Sequence, residues 1–443
     1  MKYSQFNSIV TIGESIYLFN AFTQKFMIIE PLLNDLLEAA KVEGIDGLEQ
    51  IHPTFYDYLK TEKYLVSEEL DEVEEVKKIS KAVDENQSTF LLTVNPTMNC
   101  NFKCWYCYET HIRKSAISPG MIDKVGKFIS KTTAKQNINN FFISFFGGEP
   151  LLYFKRDVMP IITKMQEECI KNRVDYGVSF TTNGYLVDQN MIDFFKTTGI
   201  RPSFQITLDG YGEKHDKVRY VNANKGSYDV IVKNIKLLIN NHFHIRLRIN
   251  YTEENLSDAH RIADDFLDIA PELKRKYLTI DFHRVWQDSK ADDIRKEVEE
   301  ITGQIRDKGI PVWHMNLNNV KESCYADKRN SAVINYNGDL FKCTARDFTT
   351  EKRAGFLDDD GNLNWEDNYL ERRMDVKFKN KPCLSCRLLP ICNGGCSQHA
   401  MEAIEHNREY CVYYGEDRIK DDAVRSKIEA MIDVLKSNEV PVS

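Results

Sequence analysis

The sequence predicts an α/β protein. A parallel sheet built from βα repeats, either a partial barrel or a doubly wound sheet, lies between an N-terminal strand-and-helix module and a cysteine-rich C-terminal region. Three observations predict it. Between residues 89 and 312, short runs of β-branched and aromatic residues alternate with amphipathic helical stretches, the pattern of parallel strands joined by crossover helices. Three cysteines, Cys100, Cys104 and Cys107, follow the first of those runs. Seven of the chain's eleven cysteines crowd between residues 324 and 411.

Residues 1–75 open with extended runs at 8–11, 15–20 and 25–29, then helical patterns at 31–41 and 55–60 and an apolar segment at 64–66. Three strands followed by short helices suggest a winged-helix-like module. Residues 67–88 are acidic and then mixed in charge, which reads as a solvated helix face or, over 76–88, a linker. Strands are then expected at 90–95, 141–146, 176–182, 203–208, 244–251 and 278–282. Helices separate them at 120–132, 156–172, 188–198, 228–240 and 255–270. The cysteine-rich region spans 313–415, and a helix at about 416–437 occupies the last segment, 416–443.

Composition narrows the function. A chain of 443 residues has room for about one to three domains. Charged residues are 28% and hydrophobic residues 42%, an ordinary globular balance. The net charge of −8 and the lack of a basic stripe argue against a nucleic-acid partner. No run approaches the roughly 18 apolar residues of a membrane span, and the N-terminus has no signal-peptide core, so a cytoplasmic location is expected. Clustered thiols in a reducing compartment argue for metal rather than disulfides.

The first cluster reads C-N-F-K-C-W-Y-C. Three thiolates can hold three irons of a cubic iron–sulfur cluster and leave the fourth open for chemistry. A structural zinc site with His111 as fourth ligand is the competing reading, although zinc does not usually take an x3-then-x2 spacing. The triplet resembles the signature of the radical S-adenosylmethionine (SAM) enzymes. That resemblance implies a partial (β/α)6 TIM barrel in which SAM chelates the open iron. Reductive cleavage then yields a 5′-deoxyadenosyl radical that abstracts hydrogen from a substrate.

The ends of the following strands extend the resemblance. Gly147-Gly148-Glu149-Pro150 ends the second strand and looks like the motif that binds the SAM amino group. Thr182-Asn183-Gly184 ends the third. Thr207-Leu208-Asp209-Gly210, followed by His215, Asp216 and Arg219, ends the fourth. Arg248-Ile249-Asn250 lies on the fifth. These resemble the T-N-G, S-L-D-G…H-D-x-x-R and R-x-N elements that contact the SAM ribose and carboxylate. Arg219 is the expected carboxylate partner, because a guanidinium fork matches a carboxylate. Tyr106 matches the aromatic whose backbone faces the adenine. His215, His242, His244 and His283 are read as structural, and Cys169 as a buried apolar thiol.

The second cluster comprises Cys324, Cys343, Cys383, Cys386, Cys392, Cys396 and Cys411, with Gly338 five residues before Cys343. Zinc ribbons would use repeated C-x2-C pairs, which the x2, x5, x3 spacing does not supply. The pattern resembles the SPASM domain, which holds two auxiliary [4Fe–4S] clusters. The resemblance implies a distal cluster on Cys383, Cys386, Cys392 and Cys411 and a proximal one on Cys324, Cys343 and Cys396. The stretch 315–323 contains no cysteine, so the proximal set is one thiolate short.

Together these features imply an enzyme with three [4Fe–4S] clusters that installs a thioether or C–C crosslink in a ribosomally made precursor peptide. The N-terminal module resembles a leader-peptide recognition element (RRE), which adds the leader as an edge strand. An electron donor such as flavodoxin or ferredoxin is implied as partner. An anaerobic sulfatase-maturating enzyme is the alternative, although Thr344 stands where that group carries an aspartate base. A zinc-stabilised binding protein is the alternative of another class.

Overall fold

In the computed structural model, residues 1–222, 225–288, 294–313 and 319–439 are described. Residues 315–318 of the cysteine-free stretch and residues 440–443 of the last segment lie outside them. The chain divides into two compact units, one of Met1–Asn86, His314–Arg329 and Asn368–Ser443, the other of Gln87–Trp313 and Asn330–Asp367.

In the first unit, Asn7–Ile12, Ser15–Asn20 and Lys25–Ile29 form an antiparallel sheet with the middle segment central. Helices Pro31–Glu43, Gly47–Ile51 and Pro53–Thr61 follow. Two of them begin on proline, whose fixed φ suits the first helical position. Leu18, Ile29, Leu37, Leu48, Phe55 and Leu59 form their shared core. The acidic stretch expected as a linker or solvated face contains the helix Glu72–Asp84, capped by Asp71. One face of it is buried: Val76 packs in a core with Phe6, Leu388 and Val424. The buried Glu72 carboxylate accepts from the Gln5 amide at 3.0 Å. The acidic residues hid a buried face at helical spacing, Glu72, Val76, Ser80 and Asp84.

The second unit is organised by a ten-stranded sheet. Its parallel strands are β1 (Thr89–Asn95), β2 (Asn140–Phe145), β3 (Asp175–Thr182), β4 (Ser203–Leu208), β5 (His244–Tyr251) and β6 (Leu278–Arg284). The short strands β7 (Ser331–Asn335), β8 (Asp339–Phe341), β9 (Gly355–Leu357) and β10 (Leu363–Trp365) complete it. The spatial order is β6-β5-β4-β3-β2-β1-β7-β8-β9-β10. β7 runs parallel to β1 with Ser331 opposite Leu91 and Asn335 opposite Asn95, and β8–β10 continue antiparallel. Every residue of β7 is buried, as in a strand covered on both faces. Part of the expected cysteine-rich domain is thus a continuation of the central sheet, and a unit boundary falls at Trp313/His314, one residue past the expected 312/313.

Alternate residues of the parallel strands, including Phe90, Leu92, Ile143, Phe180, Phe204 and Ile249, pack with Val125, Phe128 and Ile235 of the covering helices. The helix expected at 255–270 is broken into a turn at Glu253–Leu256 and a 3-10 helix at Ala259–Phe266. Ser257 and Asp258 lie at the break, residue types that compete with helical backbone bonding.

Candidate functional site

The parallel strands end on one side, and their C-terminal loops meet there. The loop after β1 is closed at its base by Ile117 N to Pro96 O, 2.8 Å, and Ile112 N to Met98 O, 3.0 Å. Phe102 is buried against Tyr185 and anchors the loop between Cys100 and Cys104. All eleven cysteines are free thiols, and Cys107 is exposed. Burial pushes the Cys100 thiol up to about 12 and the Cys107 thiol up to about 11. A bound metal reverses that cost, because coordination keeps a thiol ionised.

Gly147 and Gly148 have φ of +76° and +48°, and a Cβ on Gly148 would lie 2.3 Å from Asn99 O. Only glycine lets the loop after β2 dock on the cysteine loop this closely. Glu149 N donates to Asn99 O at 2.9 Å, fixing the contact.

Glu149 is fully buried, and burial raises its carboxyl above the ordinary range. It accepts from Leu151 N at 3.0 Å, Thr182 Oγ1 at 2.7 Å and Asn183 N at 2.8 Å. Three of its roughly four acceptor positions are thus taken by its own chain. Glu149 therefore ties the ends of β2 and β3 together, a role the sequence did not announce. Asn183 Nδ2 continues the link to Asn101 of the cysteine loop at 2.8 Å.

A second polar group lies at the ends of β4 and β5. Arg219 and Asp209 form a buried ion pair through Nε and Oδ2. Tyr106 donates to Asp209 and accepts from Arg219 Nη2 at 2.7 Å and Asn250 Nδ2 at 3.0 Å. His215 braces the pair from below. Its Nδ1 accepts from Asp209 N at 3.1 Å, its Nε2 meets Ser227 Oγ at 2.9 Å, and Ser227 Oγ bonds Arg219 O at 2.7 Å. Burial, and then the Arg219 charge, hold His215 well below the usual histidine range, so it is neutral. Arg219, expected to meet a ligand carboxylate, is paired with Asp209 here, and Tyr106 reaches this group through its hydroxyl.

Thr207 and Arg248 are directly paired across β4 and β5. The Arg248 guanidinium turns to Asp281 of β6 at 3.3 Å, where Arg246 also binds at 3.1 Å. Arg246 in turn stacks on Trp313 at 3.7 Å. Sequence reasoning missed Asp281 and Ser227, which become partners only when distant strand ends meet. Asn250 Oδ1 and both side-chain polar atoms of Asn95 are buried with no partner among the described residues. Unpaired buried amides beside a thiol-bearing loop fit a bound group.

His111 Nε2 lies 3.5 Å from Cys107 Sγ. Donor atoms of Cys107, Glu109 and His111 fall within 4.8 Å of one another. That geometry keeps His111 near one cysteine of the triplet.

The first unit holds Cys324, Cys383, Cys386, Cys392, Cys396 and Cys411, and the second holds Cys343 after β8. Cys392 is pushed up to about 12 by burial and then by the neighbouring thiols of Cys383, Cys386 and Cys411. Asn380 Nδ2 donates to Cys383 Sγ at 3.1 Å, and Tyr413 N to Cys411 Sγ at 3.4 Å. Cys169 is buried in the helix Met159–Asn172 among apolar neighbours.

Among the described residues no helix is long and apolar enough to cross a membrane.

Residues 94–266 match the family model described as "Radical SAM superfamily". Among curated proteins, the chain is 23% identical over 324 residues to the radical SAM cyclopropyl synthase TigE of Paramaledivibacter caminithermalis, covering 67% of this chain and 65% of that one. It is 30% identical over 158 residues to a cysteine-type anaerobic sulfatase-maturating enzyme of Clostridium novyi, 34% of this chain and 41% of that one. It thus spans less than two thirds of either relative. The solved structure of native anSMEcpe with bound AdoMet shares the fold at a TM-score of 0.58 and 15% identity, covering 79% of this chain and all of that one. With the cysteine loop, the strand-end motifs and the parallel sheet in one place, the chain carries a radical SAM domain, a fold that implies a [4Fe–4S] cluster and SAM as its cofactors.

Proposed function

We propose that this chain is a radical SAM peptide maturase that abstracts hydrogen from a ribosomally made precursor to install a thioether or C–C crosslink. The observation that carries the reading is the second cysteine cluster: Cys383, Cys386 and Cys411 near the buried Cys392, within a seven-cysteine pattern that resembles a SPASM domain. Cys100, Cys104 and Cys107 hold the SAM-binding cluster, and the seven C-terminal cysteines hold two auxiliary ones. When bound, the first cluster and SAM supply a 5′-deoxyadenosyl radical. The chain's own residues position and shield that chemistry. Gly147 and Gly148 bring backbone against the cysteine loop. Glu149, Thr182 and Asn183 lock the two loops together and leave one acceptor position for the SAM ammonium. Tyr106, Asp209 and Arg219 form a rigid polar wall, and Thr207, Arg248 and Asn250 offer further polar groups along the same strand ends. The sheet closes as a partial barrel around them.

The N-terminal module binds the leader of the precursor. Its strand Lys25–Ile29 is an open edge of its sheet, with Ile28 60% exposed and Leu32 at the next helix 80% exposed. The opposite edge, Asn7–Ile12, is covered by the helix Asp417–Glu439, whose Arg425 donates to Thr11 O at 3.2 Å. A peptide strand can therefore add at Lys25–Ile29, with backbone bonds for affinity and side-chain pockets for specificity. Co-expression with a short precursor encoded beside this chain, followed by mass spectrometry, tests the reading. A loss of about 2 Da per crosslink is expected for two hydrogens removed, and an unmodified peptide refutes it.

The relative at 30% identity keeps a second reading, sulfatase maturation. It predicts formylglycine in a Ser- or Cys-containing sulfatase peptide, which the same mass measurement detects.

A further inference from the structure

A buried ionic cluster in the first unit lies outside the sites described above. Lys377 Nζ donates to Asp84 Oδ2 at 2.6 Å and to Ser323 Oγ at 3.0 Å, and pairs with Asp327 Oδ2 at 3.3 Å. The three charged side chains are only 8%, 7% and 5% exposed. Ser323 also donates to Asp84, and Ser397 to Asp327.

The chain positions make this cluster informative. Ser323 precedes Cys324, and Ser397 follows Cys396. Asp327 ends the turn that begins at Cys324, with its amide bonded to Cys324 O at 3.0 Å. Asn393 Nδ2 adds a bond to Glu322 O at 2.6 Å. Two cysteine segments far apart in sequence are thus tied to each other and to the helix Glu72–Asp84 through one ammonium group. The charge is unbalanced as well: two carboxylates face one lysine. Burying an ion pair costs desolvation that its mutual attraction repays only with good geometry. An apolar contact would join the same segments at lower cost, so the retained charge calls for a reason at this place.

We propose that Lys377, Asp84 and Asp327 are positioning residues for the auxiliary cluster assigned to Cys324 and Cys396, clamping the two thiols in register and placing net negative charge beside the iron. The inference rests on the reading that the C-terminal cysteines bind iron–sulfur clusters. Hydrogen bonding and nearby charge are levers on the potential of such a cluster. Negative charge disfavours the more negative, reduced state, so the triad lowers the potential.

The test uses the full chain with Cys100, Cys104 and Cys107 replaced by Ala, reconstituted anaerobically, so that only auxiliary iron is seen. Iron and sulfide are counted, and each cluster's midpoint potential is read by EPR-monitored titration. Into this parent go Asp327→Asn, Lys377→Met, Ser397→Ala and, as a control, Lys41→Met. Lys41 pairs with Glu38 on the helix Pro31–Glu43, away from the cluster. The expected result is a shift of one cluster's potential upward in Asp327→Asn and downward in Lys377→Met. The other cluster and the control stay unchanged. A purely structural role would not move the potential in opposite directions with the sign of the deleted charge. If Lys377→Met fails to fold, with iron lost from both clusters, Asp327→Asn and Ser397→Ala decide. A changed signal from one cluster in them supports the clamp. Unchanged potentials and spectra overturn it. A parent that binds no iron overturns the underlying reading instead, and the two failures are told apart by the iron count alone.

Discussion

Cys100, Cys104 and Cys107 lie on a loop hung from the end of a parallel strand, whereas Cys383, Cys386, Cys392 and Cys411 lie among helical turns of four residues, Lys381–Leu384 and Leu389–Cys392, and left-handed corners such as Asn393. The first loop is held by the sheet: Glu149 and Asn183 bind it from two neighbouring strand ends, which Thr182 ties together through Glu149, and Phe102 anchors it in the core. The second set has little regular structure of its own; its short turns lean on the first unit's core through Leu388 and Leu389, with Cys383 and Cys386 packed against it. A site held by a sheet keeps its shape without its metal. A site on short irregular turns draws more of its folding free energy from the metal.

The largest expected effect follows from that contrast. Removing iron with a chelator should unfold the region of residues 369–415 while the parallel sheet persists. In small zinc domains the metal supplies on the order of 10 kcal/mol. Limited proteolysis checks this, with early cuts expected in the C-terminal region and slow cuts between residues 120 and 280. Equal resistance of both regions would erase the distinction.

Breaking the scaffold of the first site comes next. Arg219→Met strands the Asp209 carboxylate in a buried place, which typically costs about 3–5 kcal/mol. A loss of unfolding free energy of that size, read from the denaturant midpoint and slope, is expected in the sheet unit, with SAM cleavage lost.

A pH effect of intermediate size sharpens the comparison. His215 is held below its ordinary value of 6.5 in the folded state, so the unfolded chain binds a proton first as pH falls. Its contribution is fully present above about pH 6.5 and is lost progressively below it. His215→Gln should flatten the stability curve between about pH 6.5 and 5, as read by thermal melts across that range.

The smallest stability effect is expected at the open edge. Ile28→Asp replaces an exposed side chain and should move stability by no more than about 0.5 kcal/mol. Precursor binding should nonetheless weaken at least tenfold by fluorescence anisotropy if the leader adds there.

The parts legible in the sequence are those encoded locally. Strand runs and covering helices follow from periodicity, and the two cysteine groups from spacing. Non-local pairings were not legible. Nothing near Ser331 announces that it will lie beside Leu91 in a continued sheet. Nothing near Asp281 announces two arginines from β5. Glu149 was legible as a functional position but not as the knot between two strand ends, because its partners at Thr182 and Asn183 are one βα unit away. The helix Glu72–Asp84 was masked by its own charge, since Val76, Ser80 and Asp84 bury a stripe that composition alone reads as solvent-facing.

The central claim is that one cysteine set cleaves SAM and a separate set holds further clusters. Its most direct test is the Cys100→Ala, Cys104→Ala, Cys107→Ala variant, reconstituted anaerobically and assayed for 5′-deoxyadenosine together with iron and sulfide per chain. The account predicts that 5′-deoxyadenosine disappears while auxiliary iron and sulfide remain. Undiminished cleavage, or loss of all iron from the triple variant, would contradict it.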